Sequence, residues 1–465
     1  MNEDNDKLNN MQENKIEIIN SKLDNINTSA EIINIGIIGF GYIGSGVFKL
    51  IESQKSYIAN KTGKYLKIKT IVDKDIKERA QKFEAAFKNE IKFSSNPLDI
   101  INDPEIDIVV ELIGGIEPAY DYVIDSLKNN KYVVTANKDL IANKGESIFA
   151  AASEHGVDIL FEASVGGGIP IIGPMKSSLA ANNINKIVGI INGTTNYILT
   201  RMQKDNLSFK EALKIAQELG YAEKFNPDAD IEGSDAACKL AILSSIAFNS
   251  RVVFNEVYKE GIKKITLEDI KYANDLGYTI KLLAIGSDEG GSVCVRVHPA
   301  LIPKDHILAS INYANNAVYL YGNFVGEVMS YGQGAGDRPT ASSVVGDIIQ
   351  IARNLDRNNK KPIFGCTCFI NKPIKQIDDM ENKFYALMEV KDMPGVLAKI
   401  AAVFGENNVS IESMIQKQTE ESGSAKIVFI THKVLNKNMF NSIDEILKLD
   451  VVKQVLNIIR VEDLQ

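Results

Sequence analysis

Three observations on the 465-residue chain predict an α/β protein with further α+β parts. An apolar run of strand length opens onto a glycine-rich turn and then a helical stretch. Strands and helices alternate from there to about residue 144. The last ~80 residues, enough for a small domain of their own, repeat in the order βαββαβ. The expected architecture is therefore a Rossmann-type cofactor domain, a second, α+β domain, and a C-terminal ferredoxin-like sandwich. The expected boundaries are an extension over 1–30, the cofactor domain over 31–150 completed by 331–353, the second domain over 151–330, a linker over 354–380 and the small domain over 381–465.

Residues 1–30 are rich in Asn, Asp, Glu and Lys and lack the apolar centre of a signal peptide. They read as a poorly ordered extension, since they bury too little apolar surface to offset chain entropy. Order is expected from 32–38. Gly39-Phe40-Gly41-Tyr42-Ile43-Gly44 follows, then Ser45-Gly46-Val47-Phe48 opens a helix. Gly39 permits a tight turn, Gly41 lets backbone amides approach a pyrophosphate, and Gly44 lets the helix lie against the strand. The helix N-terminus then faces the negative charge.

A second strand over 66–72 ends in Asp73. An acid there bonds a ribose 2′-hydroxyl and favours NAD. It stands farther from Gly44 than the ~20 residues usual for this fingerprint, because a polar segment over 53–64 intervenes. Lys74 and Lys77 could pair with a 2′-phosphate instead, so the cofactor is NAD or NADP. A buried strand over 106–113, Gly114-Gly115, a helix over 118–129 and a strand over 132–134 complete the alternation. Thr135-Ala136-Asn137-Lys138 follows, at a strand end where such sheets bind ligands. Lys138 is equally placed to be a surface residue starting the next helix.

The second domain begins with a strand at 159–161 that runs into Glu162-Ala163-Ser164-Val165-Gly166-Gly167-Gly168-Ile169-Pro170. One carboxylate and several glycine-exposed carbonyls suit a hard cation, and equally a flexible turn. A strand over 186–191 leads to Asn192-Gly193-Thr194-Thr195-Asn196, which starts a helix. Small polar residues there leave amides available to a carboxylate. An amphipathic helix over 209–219 stops at Gly220. The acid loop Glu223, Asp228, Asp230, Glu232 then feeds a helix from about Ser234 that carries Asp235 and Lys239. Their i,i+4 spacing stacks both on one face. Taken alone, such a pair is also an ordinary solvated contact worth about 0.3–0.5 kcal/mol.

These segments, in this order, resemble homoserine dehydrogenase: the glycine turn, Thr135-Ala136-Asn137-Lys138, residues 162–170, Asn192-Gly193-Thr194-Thr195-Asn196-Tyr197-Ile198-Leu199, Leu219-Gly220-Tyr221-Ala222-Glu223, and Asp230-Ile231-Glu232-Gly233-Ser234-Asp235-Ala236-Ala237-Cys238-Lys239-Leu240. The resemblance covers the chain from about Ile32 onward, and it implies that the α+β domain over 151–330 is the catalytic, substrate-binding and dimerisation domain. It implies NAD(P)-dependent interconversion of L-homoserine and L-aspartate 4-semialdehyde, in threonine, methionine and isoleucine biosynthesis. It implies Lys239 as general acid/base, with Lys138 and Asp235 also catalytic. Glu223, Asp230, Asp235 and Thr194 would hold substrate. Gly39, Phe40, Gly41, Tyr42, Ile43, Gly44, Asp73, Thr135, Lys138 and Gly336 would contact cofactor. Glu162 with Val165, Gly167 and Ile169 would form a sodium site. The loop at 224–228 departs from the family pattern by about one added residue, with Asn226 where an Asp usually precedes the proline.

A strand over 317–323, Gly332-Gln333-Gly334-Ala335-Gly336 and a helix through Ala352 are expected to return to the cofactor domain. Asp392-Met393-Pro394-Gly395-Val396-Leu397-Ala398 resembles the first turn of an ACT domain, a module that binds small amino acids. The resemblance implies threonine as effector, docking near Asn408-Val409-Ser410, and a truncation after Phe369 that stays active but ignores threonine. The net charge of −8 argues against nucleic acid. No apolar run approaches the ~20 residues of a membrane helix, and four cysteines without paired zinc spacing suit a reducing compartment. The expectation is a cytoplasmic homo-oligomer, dimer or tetramer.

Overall fold

The computed structural model describes residues 30–79, 90–224, 226–418 and 423–464. The expected extension at 1–30 lies outside these except for Ala30. The described residues form two compact units, one running to Ala180 and joined by Ala335–Phe369, the other Ala181–Gly334 with the residues from Ile370 onward.

In the first unit β1 (Glu31–Ile38), β2 (Lys64–Val72), β3 (Lys92–Ser94), β4 (Ile108–Glu111), β5 (Tyr132–Thr135) and β6 (Ile159–Leu160) form a parallel sheet in the order β3-β2-β1-β4-β5-β6. This is the strand order of a dinucleotide-binding sheet. Ile33, Ile35, Ile37 and Ile38 are buried on both faces of β1, as central parallel strands require. The expected polar segment over 53–64 is instead the second half of a long helix, Tyr42–Thr62, which explains the wide separation of Gly44 and Asp73. Gly63, at φ +72°, ends it and donates its N–H to Ala59 O. The helix Asp337–Asn354 packs against this helix. Gly46 lets the two helices approach closely, since a Cβ there would lie a tight 3.2 Å from Asp337 O.

Residues 355–369 lack regular structure, but they are pinned. Asp158 accepts the amides of Ile363, Phe364 and Gly365, and Arg357 pairs with Asp107.

The second unit holds one 11-stranded sheet. Its strands are β7 (Ile184–Ile190), β8 (Tyr258–Lys259), β9 (Tyr278–Asp288), β10 (Val293–Pro303), β11 (Asn315–Gly322), β12 (Gly326–Gln333), β13 (Glu381–Lys391), β14 (Ile411–Gln418), β15 (Ser424–Thr431), β16 (Val434–Leu435) and β17 (Val452–Val461). The main order is β12-β11-β7-β9-β10-β17-β13-β15-β14, with β8 beside β10 and β16 beside β13. Strands β9, β10 and β12 and the helix Leu267–Asp275 go beyond the elements anticipated above.

Strands β13, β14, β15 and β17, with the helices Val396–Glu406 and Asn436–Ile446, form the expected βαββαβ sandwich around Phe384, Met388, Ile400, Phe404, Phe429 and Met439. This sandwich continues the neighbouring sheet. β17 runs parallel to β10 with Ala300 opposite Arg460 and Leu301 opposite Val461. Leu464 is buried with Val188, Leu283, Ala300 and Ala317 in the core of the adjoining strands.

Candidate active site

At the glycine turn, Gly39 adopts φ +103°, and a Cβ there would lie 2.7 Å from the Leu112 carbonyl carbon. A Cβ on Gly44 would lie 2.1 Å from Gly39 O. Both positions therefore exclude a side chain. Above Gly41 the nearest neighbour is the Arg79 guanidinium, at 3.4 Å from the Cβ position. The helix starting at Tyr42 has no side-chain cap, so its first amides point into the turn, the arrangement that receives a phosphate. Phe40 packs its ring edge-on against Phe48, Tyr42 is exposed and Ile43 half-buried.

Asp73 is committed to the protein. It accepts the Phe40 amide at 2.7 Å and the Asp75 amide at 2.9 Å, and it pairs with Arg79 at 2.8 Å. Arg79 itself is absent from the residues expected to contact cofactor. It stands six residues beyond Asp73 in sequence, and only the fold brings it over the turn.

At the carboxyl ends of β4 and β5, Glu111 is fully buried and accepts Thr135 Oγ1 at 2.7 Å and the Ile113 amide at 2.8 Å. Burial raises its pKa, against these hydrogen bonds. Thr135 in turn receives the Asn137 amide, and Asn137 caps the helix Lys138–Glu154 through Leu140 N. Lys138 is the first residue of that helix, with its amine 3.8 Å from Asp139. Glu111 was not singled out in the sequence. Its signal is an acid at the end of an apolar strand, three residues before the Gly114-Gly115 turn. Gly336 sits at φ +125° as the uncapped start of the helix Asp337–Asn354.

Glu162 is buried in the first unit. Its Oε1 accepts the amides of Ile171 and Ile172, and its Oε2 accepts that of Gly173. Gly167 O accepts Ser343 Oγ at 2.7 Å. Among the described residues no group of three or more His, Cys, Asp or Glu is arranged to hold a metal ion. Glu162 thus spends three acceptor positions closing its own loop, so a cation held here would be monovalent and bound chiefly by main-chain carbonyls.

In the second unit the helix Ser234–Ala247 is almost wholly buried, so Asp235 and Lys239 do not form a solvated surface pair. Their side chains are 12% and 13% exposed and 2.7 Å apart. The Lys239 amine also donates to Ile191 O at 2.9 Å. Asn192 joins the parts. Its Nδ2 donates to Asp230 at 2.7 Å and to Asp235 at 2.8 Å, while its Oδ1 caps the helix Gly193–Asp205 through Thr195 N. Thr194 Oγ1 lies 3.0 Å from Asp230. Burial, and then the neighbouring Asp235, raises the pKa of Asp230.

Asn192 thus converges with Asp230, Asp235 and Lys239, which come from one later segment. Glu223 does not join this network. It is exposed, and its main-chain O accepts from Gln217. It borders the altered loop at 224–228, of which Phe225 lies outside the described residues.

In the sandwich, a cavity of about 160 Å³ is lined by residues 390–397 with Gln416 and Ile427. It lies at the turn after β13 and is not lined by Asn408, Val409 or Ser410. Val409 is instead part of the buried core.

A dinucleotide-binding sheet joined in one chain to a lysine–carboxylate site defines an NAD(P)-dependent oxidoreductase. Comparison with known proteins is specific. Residues 39–162 match the family model described as "Homoserine dehydrogenase, NAD binding domain", residues 170–349 that described as "Homoserine dehydrogenase", and residues 384–450 the ACT domain. A homoserine dehydrogenase of Synechocystis is 41% identical over 438 residues, covering 92% of this chain and 99% of its own. One from Bacillus subtilis is 40% identical over 431 residues, covering 92% and 98%. The crystal structure of a homoserine dehydrogenase from Thiobacillus denitrificans superposes with a TM-score of 0.87 at 40% identity, covering 94% and 99%. The chain belongs to the homoserine dehydrogenase family, with a C-terminal ACT domain.

Proposed function

We propose that the chain interconverts L-homoserine and L-aspartate 4-semialdehyde, with Lys239 as the proton-transferring group. The observation that carries this is the Asn192–Asp230–Asp235–Lys239 network, which holds an amine rigidly among acids inside a polar cluster. A bound nicotinamide supplies or accepts the hydride. In the reducing direction the aldehyde carbon gains that hydride, and its oxygen takes a proton from the Lys239 ammonium. In the oxidising direction the neutral amine takes the hydroxyl proton as the hydride leaves carbon. Asp235 and Ile191 O aim the amine. Asp230 and Thr194 are assigned to the substrate's amino-acid end, with Glu223 joining them after a change in its exposed loop, and Lys138 to the reacting end. Reduced-nicotinamide absorbance with homoserine tests the reading: Lys239→Ala loses turnover and keeps cofactor affinity, and near-normal kcat in that variant rejects it.

For the cofactor, Asp73 supports NADP over NAD. Its carboxylate is already saturated by two amides and Arg79, while Arg79 is 40% exposed beside the glycine turn. A guanidinium so placed suits a 2′-phosphate. Arg79→Ala is expected to lower kcat/KM with NADP about tenfold and to leave that with NAD within about twofold.

The remaining assignments are a three-domain division at the boundaries given above, a homo-oligomer and a cytoplasmic location. Among the described residues no helix is long and apolar enough to cross a membrane. Sodium is assigned to Glu162 with the carbonyls of Val165, Gly167 and Ile169. A higher melting temperature in sodium chloride than in choline chloride of equal strength tests it. Threonine is assigned to the cavity at 390–397, which is smaller than the ~300 Å³ of a drug-sized site. Gln416→Ala should shift threonine inhibition at least tenfold, more than it changes the uninhibited rate.

A further inference from the structure

We propose that Arg460, in the last strand of the chain, is a positioning residue for the acid loop at 228–232, acting through Glu260. Arg460 is 3% exposed. Its guanidinium donates to Glu260 at 2.9 Å and to Asn436 at 3.0 Å, and it lies over the Tyr258 ring with its carbon 5.0 Å from the centroid. A buried guanidinium keeps its charge only with such partners. It occupies the point where β17 joins β10, with Arg460 opposite Ala300.

Glu260 continues from β8, which pairs with β10, and donates its own amide to Val297 O at 2.8 Å. The next three residues lie along the acid loop. Gly261 has no room for a side chain, because a Cβ would stand 2.2 Å from Ile231 O and 2.6 Å from Glu232 Cα. Ile262 donates its amide to Ile231 O at 2.8 Å. Lys263 pairs with Asp228 at 2.9 Å and with Glu232 at 2.6 Å. On the other side Gly233, at φ +83°, packs against Glu260 O. Residues 260–263 are therefore a splint, held at one end by Arg460 and bonded along its length to the loop that carries Asp230. Asp230 in turn fixes Asn192 and Thr194.

The inference rests on the reading that Asp230 and Thr194 hold the substrate. The test uses the full chain, with Arg460→Met, Arg460→Lys and Glu260→Gln. Homoserine KM is expected to rise about five- to tenfold in Arg460→Met and Glu260→Gln, with NADP KM within twofold of wild type and partial recovery in Arg460→Lys. Amide hydrogen exchange of peptides spanning 228–235 should quicken in both damaged variants. A purely structural role would lower the melting temperature and leave this KM split unmoved.

Glu260→Gln keeps the side-chain shape and carries the test should Arg460→Met fail to fold. Unchanged homoserine KM in Glu260→Gln, with wild-type exchange over 228–235, overturns the proposal. The underlying reading fails separately, if Asp230→Asn and Thr194→Ala leave homoserine KM unchanged. In that case exchange over 228–235 alone decides the splint.

Discussion

Two lysines bracket the Asn192–Asn196 segment, and they are held in opposite ways. Lys239 sits beside Asn192, with a carboxylate, Asp235, 2.7 Å from its amine. Lys281, on β9, is 1% exposed and donates to Asn196 Oδ1 at 3.0 Å, to Ile311 O and to Asn312 Oδ1 at 3.3 Å. Those three partners are neutral. Burial, and then the nearby Lys204, push Lys281 down to about 7, against an ordinary value of 10.5. Three acceptors could satisfy all three N–H bonds of an ammonium, yet dipoles alone do not offset the loss of water. The difference teaches that burial unopposed by an anionic partner lowers the Lys281 pKa, and the lysine that has such a partner sits in the network assigned to the substrate.

The largest effect expected is on Lys239→Ala. General acid/base catalysis contributes about 10²–10⁴-fold, so kcat should fall by about that factor, with cofactor affinity retained in a fluorescence titration. Lys281→Ala should cost activity far less, and equal losses would break the contrast.

Asp235→Asn sharpens it. The substitution removes the carboxylate bonded to the Lys239 amine and leaves Asp230 nearby in the network. We expect kcat to fall about 10–100-fold. An unchanged kcat would show that Asp235 does not act on this amine.

The smallest effect concerns stability. The Lys281 pKa is lower in the folded protein than in the unfolded chain, so between about pH 7 and pH 10.5 the unfolded chain binds the extra proton. Stability therefore rises with pH across that window, and the full burial penalty is present below it. Lys281→Met should flatten denaturant-measured stability between pH 7 and 9 by up to about 1 kcal/mol per pH unit. Asn196→Asp, which gives the amine a carboxylate, should flatten it similarly. A slope unchanged in both variants would mean that Lys281 does not titrate there.

The first unit was largely legible because its signals are local. The isoleucine run, the glycine turn and the strand–helix alternation all fall within short windows, and the observed order β3-β2-β1-β4-β5-β6 follows from them. Strands β9 and β10 were less legible. Both are buried along nearly their whole length, so the alternation that marks a half-buried strand is missing. The turn Asp288-Glu289-Gly290-Gly291-Ser292 between them was the available clue.

Within the candidate site, the Asp235–Lys239 pair could be read from helical spacing. Its burial could not, and neither could its link to Asn192, because both depend on a sheet assembled from distant segments. Asp73 shows the converse. Its position at the end of β2 was readable, but not that the Phe40 amide and Arg79 would occupy it. The junction of β17 with β10 had no sequence signal at all, since nothing in Val452–Val461 distinguishes an outer strand of a sandwich from one shared with a neighbour.

That shared junction has a practical consequence for anyone wishing to exchange the C-terminal domain of this enzyme for another. The C-terminal module cannot be cut away as a cassette at the 354–380 segment. Its removal would strip hydrogen-bond partners from Leu301 and leave Arg296 without Glu462, and Tyr258 and Glu260 without Arg460. A workable graft would have to bring its own final strand, with an arginine and a glutamate in the same register.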